Sequence, residues 1–162
     1  MKKAATLLLA VELQLAVHNL HARYAHALDD DRLEDWPNFF TETGRYRVTT
    51  AENEARGLPA PVLSAEGRAM LRDRVASLRH ANIYEPQRYR HLVSAVLIQK
   101  IDHNAVRSTA NFAVIRIMHD GDTIIFATGR YVDRIALPEV KYEERVVICD
   151  SRRFDTLLAI PL

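Results

Sequence analysis

The feature that most constrains the fold is a series of four long β-like runs after Pro86. They are rich in Val, Ile, Tyr and Phe, the residue types that favour a pleated, half-buried strand. The pair Asp120–Gly121 joins two of them and predicts a tight type I′ hairpin turn. The runs are RYRHLVSAVLIQKID (88–102), NFAVIRIMH (111–119), DTIIFATGRYVDRI (122–135) and YEERVVICD (142–150).

The half of the chain before Pro86 has mainly helical periodicity. Apolar residues recur at helical spacing from Leu7 to Leu28, and Leu20 and Tyr24 belong to this stripe. Ser64 is a plausible N-cap for a later helix. The remaining predicted elements are a short helix (32–39), a strand (44–50), a surface loop (51–63) and a helix (65–81).

Helices followed by hairpin-connected strands predict an α+β fold with an antiparallel sheet. Strands of this length twist and curl, so helices lying across the concave side would complete a cone. The segment from Phe112 to Met118 is apolar on nearly every residue, which predicts that both sheet faces are covered there. The helices would cover one face of the sheet, and another subunit would cover the other face. We expect a single domain over residues 1–162.

The composition limits what this chain can bind. The net charge of +1 gives no basic field for nucleic acid. A single cysteine, Cys149, rules out a two-Cys, two-His Rieske cluster and fits a reducing cytoplasm. Glu12 and Gln14 interrupt the apolar run near the N-terminus, so we expect neither a signal peptide nor a membrane span.

The stretch HNLHARYAHALDDD (18–31) is dense in histidine and aspartate, which raises the question of a metal site. On a helix, His21 and His26 diverge by about 140°, so their rings cannot readily hold one ion. A facial iron site needs two histidines and a carboxylate that converge. We therefore expect no metal in this chain and interpret His18, His21 and His26 as a polar helix face.

Four short motifs in the sequence together resemble a known protein family. WPNFF (36–40), ANIYE (81–85), RYRH (88–91) and CDS (149–151) together resemble the small, or beta, subunit of Rieske-type aromatic-ring-hydroxylating dioxygenases. The likeness is greatest to the branch acting on aromatic carboxylates such as terephthalate, salicylate and anthranilate. It covers the chain from about Tyr24 onward, and the fold it implies is the cone of the nuclear-transport-factor-2-like (NTF2-like) superfamily.

The resemblance implies a structural role. In this family the large alpha subunit carries a Rieske [2Fe–2S] cluster and a mononuclear iron, and the beta subunit carries no cofactor. Three copies of each commonly form an alpha3beta3 hexamer in which the beta subunits associate as a trimer. The expected partners are therefore a large oxygenase subunit and further copies of this chain, and we expect no catalytic residue here.

Two other functions stay open from the residues. A free-standing cone isomerase or dehydratase could use Tyr46, His91, Tyr131 and Asp133, all on predicted strands, as acid–base and oxyanion-binding groups. A small-ligand binding module is the second alternative. Both need side chains that face an open pocket inside the cone.

Tyrosine and arginine are enriched at the centres of protein interfaces. The sequence between Asn82 and His91 is dense in both, so we predict an interface with the large subunit or a sister chain. The apolar tail TLLAIPL (156–162) is expected to dock on the sheet or on a neighbour, and Cys149 to be a buried thiol. The predicted interface residues are Tyr84, Arg88, Tyr89 and Arg90.

Overall fold

The computed structural model describes residues 2–58, 61–81, 83–100, 102–152 and 158–162. Three helices, one 3-10 helix and six strands occur in these ranges. They are α1 (Lys2–Asp29), the 3-10 helix (Leu33–Phe39), β1 (Phe40–Thr50), α2 (Ala51–Ala55), β2 (Leu63–Glu66), α3 (Gly67–His80), β3 (Gln87–Lys100), β4 (Ala105–Met118), β5 (Thr123–Ala136) and β6 (Lys141–Cys149).

The six strands form one sheet in the order β2-β1-β6-β5-β4-β3. Strands β3 to β6 are consecutive antiparallel neighbours, as the hairpin-connected runs predicted. Strand β1 instead pairs in parallel with β6, because it reaches its neighbour through the helices and not through a hairpin. The α+β prediction is confirmed, and the sheet is mixed at this one pair.

The predicted loop between Ala51 and Leu63 contains two elements that periodicity did not show. Thr50 caps the short helix α2, since its hydroxyl accepts a hydrogen bond from the Asn53 amide at 3.1 Å. Ser64 lies in β2 opposite Arg47 and is not a helix cap, so α3 begins only at Gly67. Pairing with a distant strand decided this boundary, and local sequence carries little information on such pairing. Pro59 lies outside the described residues.

The turn between β4 and β5 differs from the predicted type I′ turn. A type I′ turn requires positive φ at both central residues. Gly121 has a φ of 93°, but Asp120 is not among the described non-glycine residues with positive φ. The Gly121 amide donates to the Met118 carbonyl at 3.0 Å, and the Met118 amide donates to the Asp122 carbonyl at 2.9 Å. The loop is therefore a three-residue hairpin in which glycine occupies the left-handed position.

Helix α1 packs its apolar stripe on the sheet and the 3-10 helix. Val17, Leu20, Tyr24 and Leu28 are buried, whereas Leu15, nearer the N-terminus, is 60% exposed. No helix in the described part of the chain is both long and apolar enough to cross a bilayer.

Two bulges in the sheet decide which apolar residues face outward. Leu92 and Leu97 are five residues apart, so a regular strand would place them on opposite faces. The register of β3 shifts between Ser94 and Leu97, and both leucines then pair with outward-facing residues of β4. A second shift, between β4 and β5, places Ile125 opposite Ile115 on the same outer face.

Candidate functional site

The interior of the cone is organised around one buried arginine. Arg145 on β6 lies opposite Asp133 on β5 in the sheet register and is fully buried. Its Nε and Nη2 atoms donate to the two carboxylate oxygens of Asp133 at 3.0 and 3.1 Å. Its guanidinium also lies about 4 Å from the ring centroids of three tyrosines, Tyr24, Tyr131 and Tyr142.

The surroundings of Arg145 and Asp133 affect the protonation of both side chains. Burial disfavours the charged form of Arg145, but the carboxylate of Asp133 raises the pKa of the guanidinium well above its ordinary value. Burial, opposed by the charge of Arg145, raises the pKa of Asp133, and the bidentate contact with the guanidinium favours the ionised carboxylate. Asp133 is therefore a structural counter-ion in the folded chain.

His21 of α1 completes the cluster from the helix side. Arg145 Nη2 lies 2.8 Å from His21 Nδ1, and Ser108 Oγ lies 3.0 Å from His21 Nε2. Since an arginine can only donate, Nδ1 must be the acceptor and the imidazole must be neutral. Burial, followed by the positive charge of Arg145, lowers the pKa of His21 to about 2.

The interpretation of all three histidines as a polar helix face is wrong for His21. His18 and His26 are exposed, but His21 is buried among tyrosines and Arg145, because α1 buries a wider face than the stripe indicated. Both nitrogens of His21 have protein partners within 3.0 Å. Among the described residues, no group of three His, Cys, Asp or Glu side chains could hold a metal ion.

The end of the chain lies beside this cluster. Leu158, Ala159, Ile160 and Leu162 are buried, which agrees with the docking predicted for the apolar tail. Thr156 and Leu157 lie outside the described residues.

Leu162 is held by two tyrosines. Tyr24 and Tyr46 donate from their hydroxyls to the main-chain oxygen of Leu162 at 2.9 and 3.2 Å. The Leu162 amide donates back to the Tyr46 hydroxyl at 3.0 Å. The tail thus fills space between α1, β1 and the 3-10 helix.

A second histidine–carboxylate pair joins the end of α1 to β3. His91 Nδ1 lies 2.6 Å from Asp29 Oδ1, and the His91 amide donates to both Asp29 oxygens at 3.1 Å. Both side chains are almost fully buried, at 0% and 3% exposure. Arg90 Nη1 lies 3.6 Å from Asp29 Oδ2, which adds an ion pair to the same carboxylate. This geometry anchors the helix to the edge strand.

The four residues proposed for an acid–base site do not line a common pocket. Tyr46, Tyr131 and Asp133 are buried near Arg145, while His91 is bound to Asp29 on β3. Sequence reasoning missed Arg145 and Leu162. The signal available for Arg145 was a basic residue directly before the apolar segment VVIC in the YEERVVICD run.

The predicted interface residues divide into two groups. Arg88 and Arg90 are exposed and Tyr84 is half-buried along an open groove of about 740 Å³ between α1, α3 and β3. The Tyr89 side chain differs from these three, since it is 1% exposed with its ring 5.2 Å from that of Phe126. Strand alternation sends Tyr89 inward while its neighbours point outward.

Cys149 behaves as predicted from its apolar strand. The thiol is free and buried, with 1% of the residue exposed. Burial, together with the nearby charge of Asp150, raises the pKa of Cys149 to about 12. A thiol of this kind is a packing group, since thiolate is the reactive form.

These features define a member of the NTF2-like cone fold. The family model described as ring hydroxylating beta subunit matches residues 23–158. The chain belongs to this family of ring-hydroxylating beta subunits.

Its relatives agree with this assignment. The beta 1 subunit of the terminal oxygenase component of terephthalate 1,2-dioxygenase from Comamonas sp is 44% identical, covering 93% of this chain and 98% of the relative. The anthranilate 1,2-dioxygenase small subunit from Burkholderia cepacia is 38% identical, covering 90% and 92%. A crystal structure from Novosphingobium aromaticivorans, described as the beta subunit of a candidate aromatic-ring-hydroxylating dioxygenase, matches with a TM-score of 0.87 and 38% identity, covering 95% and 99%.

Proposed function

We propose that this chain is the structural, non-catalytic small subunit of an aromatic-ring-hydroxylating dioxygenase. In this role it forms one domain that supports catalytic large subunits, and those subunits carry the Rieske [2Fe–2S] cluster and the mononuclear iron. The terephthalate and anthranilate enzymes of the relatives support an aromatic carboxylate as the substrate class. The assembled enzyme would act in the cytoplasm in the breakdown of aromatic compounds.

The observation that carries the proposal is the filled cone. An isomerase or dehydratase needs acid–base groups that reach a substrate, within about 3 Å of the atom they serve. Asp133 instead forms a buried ion pair with Arg145, and Tyr46 binds the main chain of Leu162. The same filling disfavours an open small-ligand module, because Tyr46, Tyr131 and Asp133 are buried among the described residues.

The outer sheet face supports the proposed assembly. We define the outer patch as Leu92, Leu97 and Ile125, which are 52%, 69% and 72% exposed, together with half-buried Ala113, Ile115 and Ile117. Several large apolar side chains exposed on one sheet face mark a protein interface. We assign this patch to contact with sister beta chains in a trimer, within an alpha3beta3 hexamer.

The test is turnover of the assembled enzyme formed by coexpression with a large subunit. Replacing His91 by alanine, Asp133 by asparagine or Tyr131 by phenylalanine should leave ring hydroxylation per assembled complex within about tenfold. Gel filtration and iron content establish that each preparation is assembled and loaded. A thousandfold loss in an assembled, iron-replete variant would show that the cone takes part in chemistry.

A further inference from the structure

The outer sheet face combines its apolar side chains with an excess of arginines. We propose that this face binds a carboxylate-bearing surface of a second copy of this chain, head to tail, so that arginine–carboxylate pairs surround the apolar outer patch. The inference rests on the proposed function, since it specifies how the sister chains of the trimer contact each other. It concerns association of the isolated chain, which is measured without a large subunit.

Positive charge is concentrated on this face. Strands β3, β4 and β5 contain a single Asp or Glu, Asp133, and that side chain is buried on the inner face. The strand register places five arginines at outward-facing positions. The outer face of these three strands therefore presents arginines and no carboxylate of its own. The five are Arg88, Arg90, Arg107, Arg130 and Arg134.

Two of these arginines have carboxylate partners within the chain. Arg90 Nη1 lies 3.6 Å from Asp29 Oδ2, and Arg134 forms an ion pair with Glu143. The other three are exposed, and their side chains form no hydrogen bond or ion pair with any residue that the structure describes. We call these three the arginine rim: Arg88, Arg107 and Arg130.

One member of the rim occupies an unfavourable position in the isolated chain. Arg107 lies directly opposite Arg134 in the register of β4 and β5. Like charges at directly opposed positions destabilise a sheet. Arg134 is compensated by Glu143 and Asp102, but Arg107 has no such partner in the described ranges. A carboxylate from another molecule would relieve the remaining repulsion.

The arginine rim borders the outer patch. Arg88 lies directly opposite Ile117, and Arg130 lies opposite Asn111, two residues along β4 from Ala113. Protein interfaces commonly have an apolar centre within a polar border, and arginine is enriched in them. The planar guanidinium matches a carboxylate through two parallel N–H bonds. The surface that fits this face therefore has apolar side chains at its centre and carboxylates around them.

The rest of the same chain carries the complementary charge. The sequence has 22 Lys and Arg residues against 21 Asp and Glu residues. Because five of the arginines lie on the outer sheet face, the remainder of the chain has an excess of carboxylates. Two copies that met through identical outer faces would oppose arginine to arginine. A head-to-tail contact instead sets this face against a different, more acidic surface of the next copy, and such contacts can close into a ring of three.

The test measures association of the isolated chain at two salt concentrations. Sedimentation equilibrium gives the protein concentration at half-assembly in about 0.05 M and about 0.5 M NaCl, because salt at the higher concentration screens exposed charges. We expect a trimer whose half-assembly concentration rises by about tenfold or more between the two conditions.

Charge variants identify the surface responsible. Arg107→Glu with Arg130→Glu reverses two rim charges and should raise the half-assembly concentration at low salt by about a hundredfold or more. Arg107→Gln with Arg130→Gln only removes the two charges, so it should give a smaller rise and a weaker salt dependence. The matched control, Arg23→Glu with Arg72→Glu, makes the same change in net charge at exposed positions of α1 and α3. It should stay within about threefold of the unmodified chain.

The far-UV circular dichroism of each variant establishes that it is folded, and the glutamine pair keeps the test decisive if the glutamate pair does not fold. Association that is independent of salt, or equal weakening by the rim and the control variants, would overturn the inference. An isolated chain that stays monomeric but still copurifies with a coexpressed large subunit would also overturn it, while leaving the structural role in place. Failure to copurify with any large subunit would contradict the proposed function itself.

Discussion

The two faces of the sheet at β3–β5 differ in the residues that they bury and expose. On the inner face, Asp133 and Tyr131 of β5 are buried and the carboxylate is paired with Arg145. On the outer face, Ile125 of the same strand is 72% exposed, and Leu97 of β3 is 69% exposed. The inner face therefore encloses a charged pair, while the outer face leaves large apolar side chains in contact with water.

This difference indicates where each face finds its partner. On the inner face, Arg145 is hydrogen-bonded within the chain, to Asp133 of β5 and to His21 of α1. The outer face has an apolar surface that the described residues do not cover, which fits burial by a second protein. Stability should depend on the inner face and assembly on the outer one.

The largest effect is expected from breaking the buried ion pair. Replacing Arg145 by methionine leaves Asp133 as an uncompensated buried charge and should lower the free energy of unfolding by about 3–5 kcal/mol. Urea denaturation measures the change. Combining Arg145→Met with Asp133→Leu should recover part of the loss, since no buried charge then remains. Additive losses would show that the two residues act independently.

An exposed arginine in an ion pair provides a matched control for buried Arg145. Arg134 on β5 pairs with Glu143 at 40% and 37% side-chain exposure. Replacing Arg134 by methionine should change stability by less than about 1 kcal/mol, because water screens this pair. A loss as large as that of Arg145→Met would remove the distinction between the faces.

A smaller effect is expected from the tail contact. Replacing Tyr46 by phenylalanine leaves the buried Leu162 amide without its acceptor, which should cost about 1–3 kcal/mol. Equilibrium unfolding compares this variant with Tyr84→Phe, a half-buried tyrosine at the groove. Equal stability of the two variants would mean that the tail hydrogen bonds contribute little.

The pH dependence of the free energy of unfolding measures the contribution of buried His21. Its pKa is about 2 in the folded chain and about 6.5 when exposed, so the unfolded chain binds more protons between these values. The stabilising contribution is fully present above pH 6.5 and is lost as the pH falls. Between pH 6.5 and 5 the loss should be about 1.5 kcal/mol.

Variants at two histidines identify the source of this slope. His21→Asn keeps an acceptor for Arg145 and should show a shallower decline of unfolding free energy with falling pH. His26→Asn changes an exposed residue on the same helix and should keep the slope of the unmodified chain. An unchanged slope in His21→Asn would assign the acid sensitivity to other groups.

The smallest effect on the isolated chain is expected on the outer patch. Leu97→Asp and Ile125→Asp place a charge on an exposed position, so each should change unfolding free energy by no more than about 0.5 kcal/mol. Light scattering and copurification with a tagged large subunit should nevertheless show weaker assembly. Asn19→Asp, an exposed position on α1 and not on the outer sheet face, serves as the control. Normal assembly of both patch variants would place the interface elsewhere.

Part of the site could be predicted from the sequence. The burial of Cys149 and of the apolar tail followed from local hydrophobicity, and both are observed. The inward positions of His21 and Tyr89 did not follow. The position of His21 depends on how much of its surface α1 buries, and that of Tyr89 depends on which face of β3 its side chain occupies. The pairing of Arg145 with Asp133 depends on the register of β5 against β6, which local sequence leaves open.

The sequence by itself determined the α+β class, the four long strands and the family, because hydrophobic periodicity and short sequence motifs are local properties of the chain. Tertiary structure alone decided which residues face which side. The bulges between Ser94 and Leu97 and next to Ile125 reverse the alternation of side chains. A single inserted residue in a strand pair sends every later side chain to the other face, and only the pairing of distant strands fixes where that insertion lies.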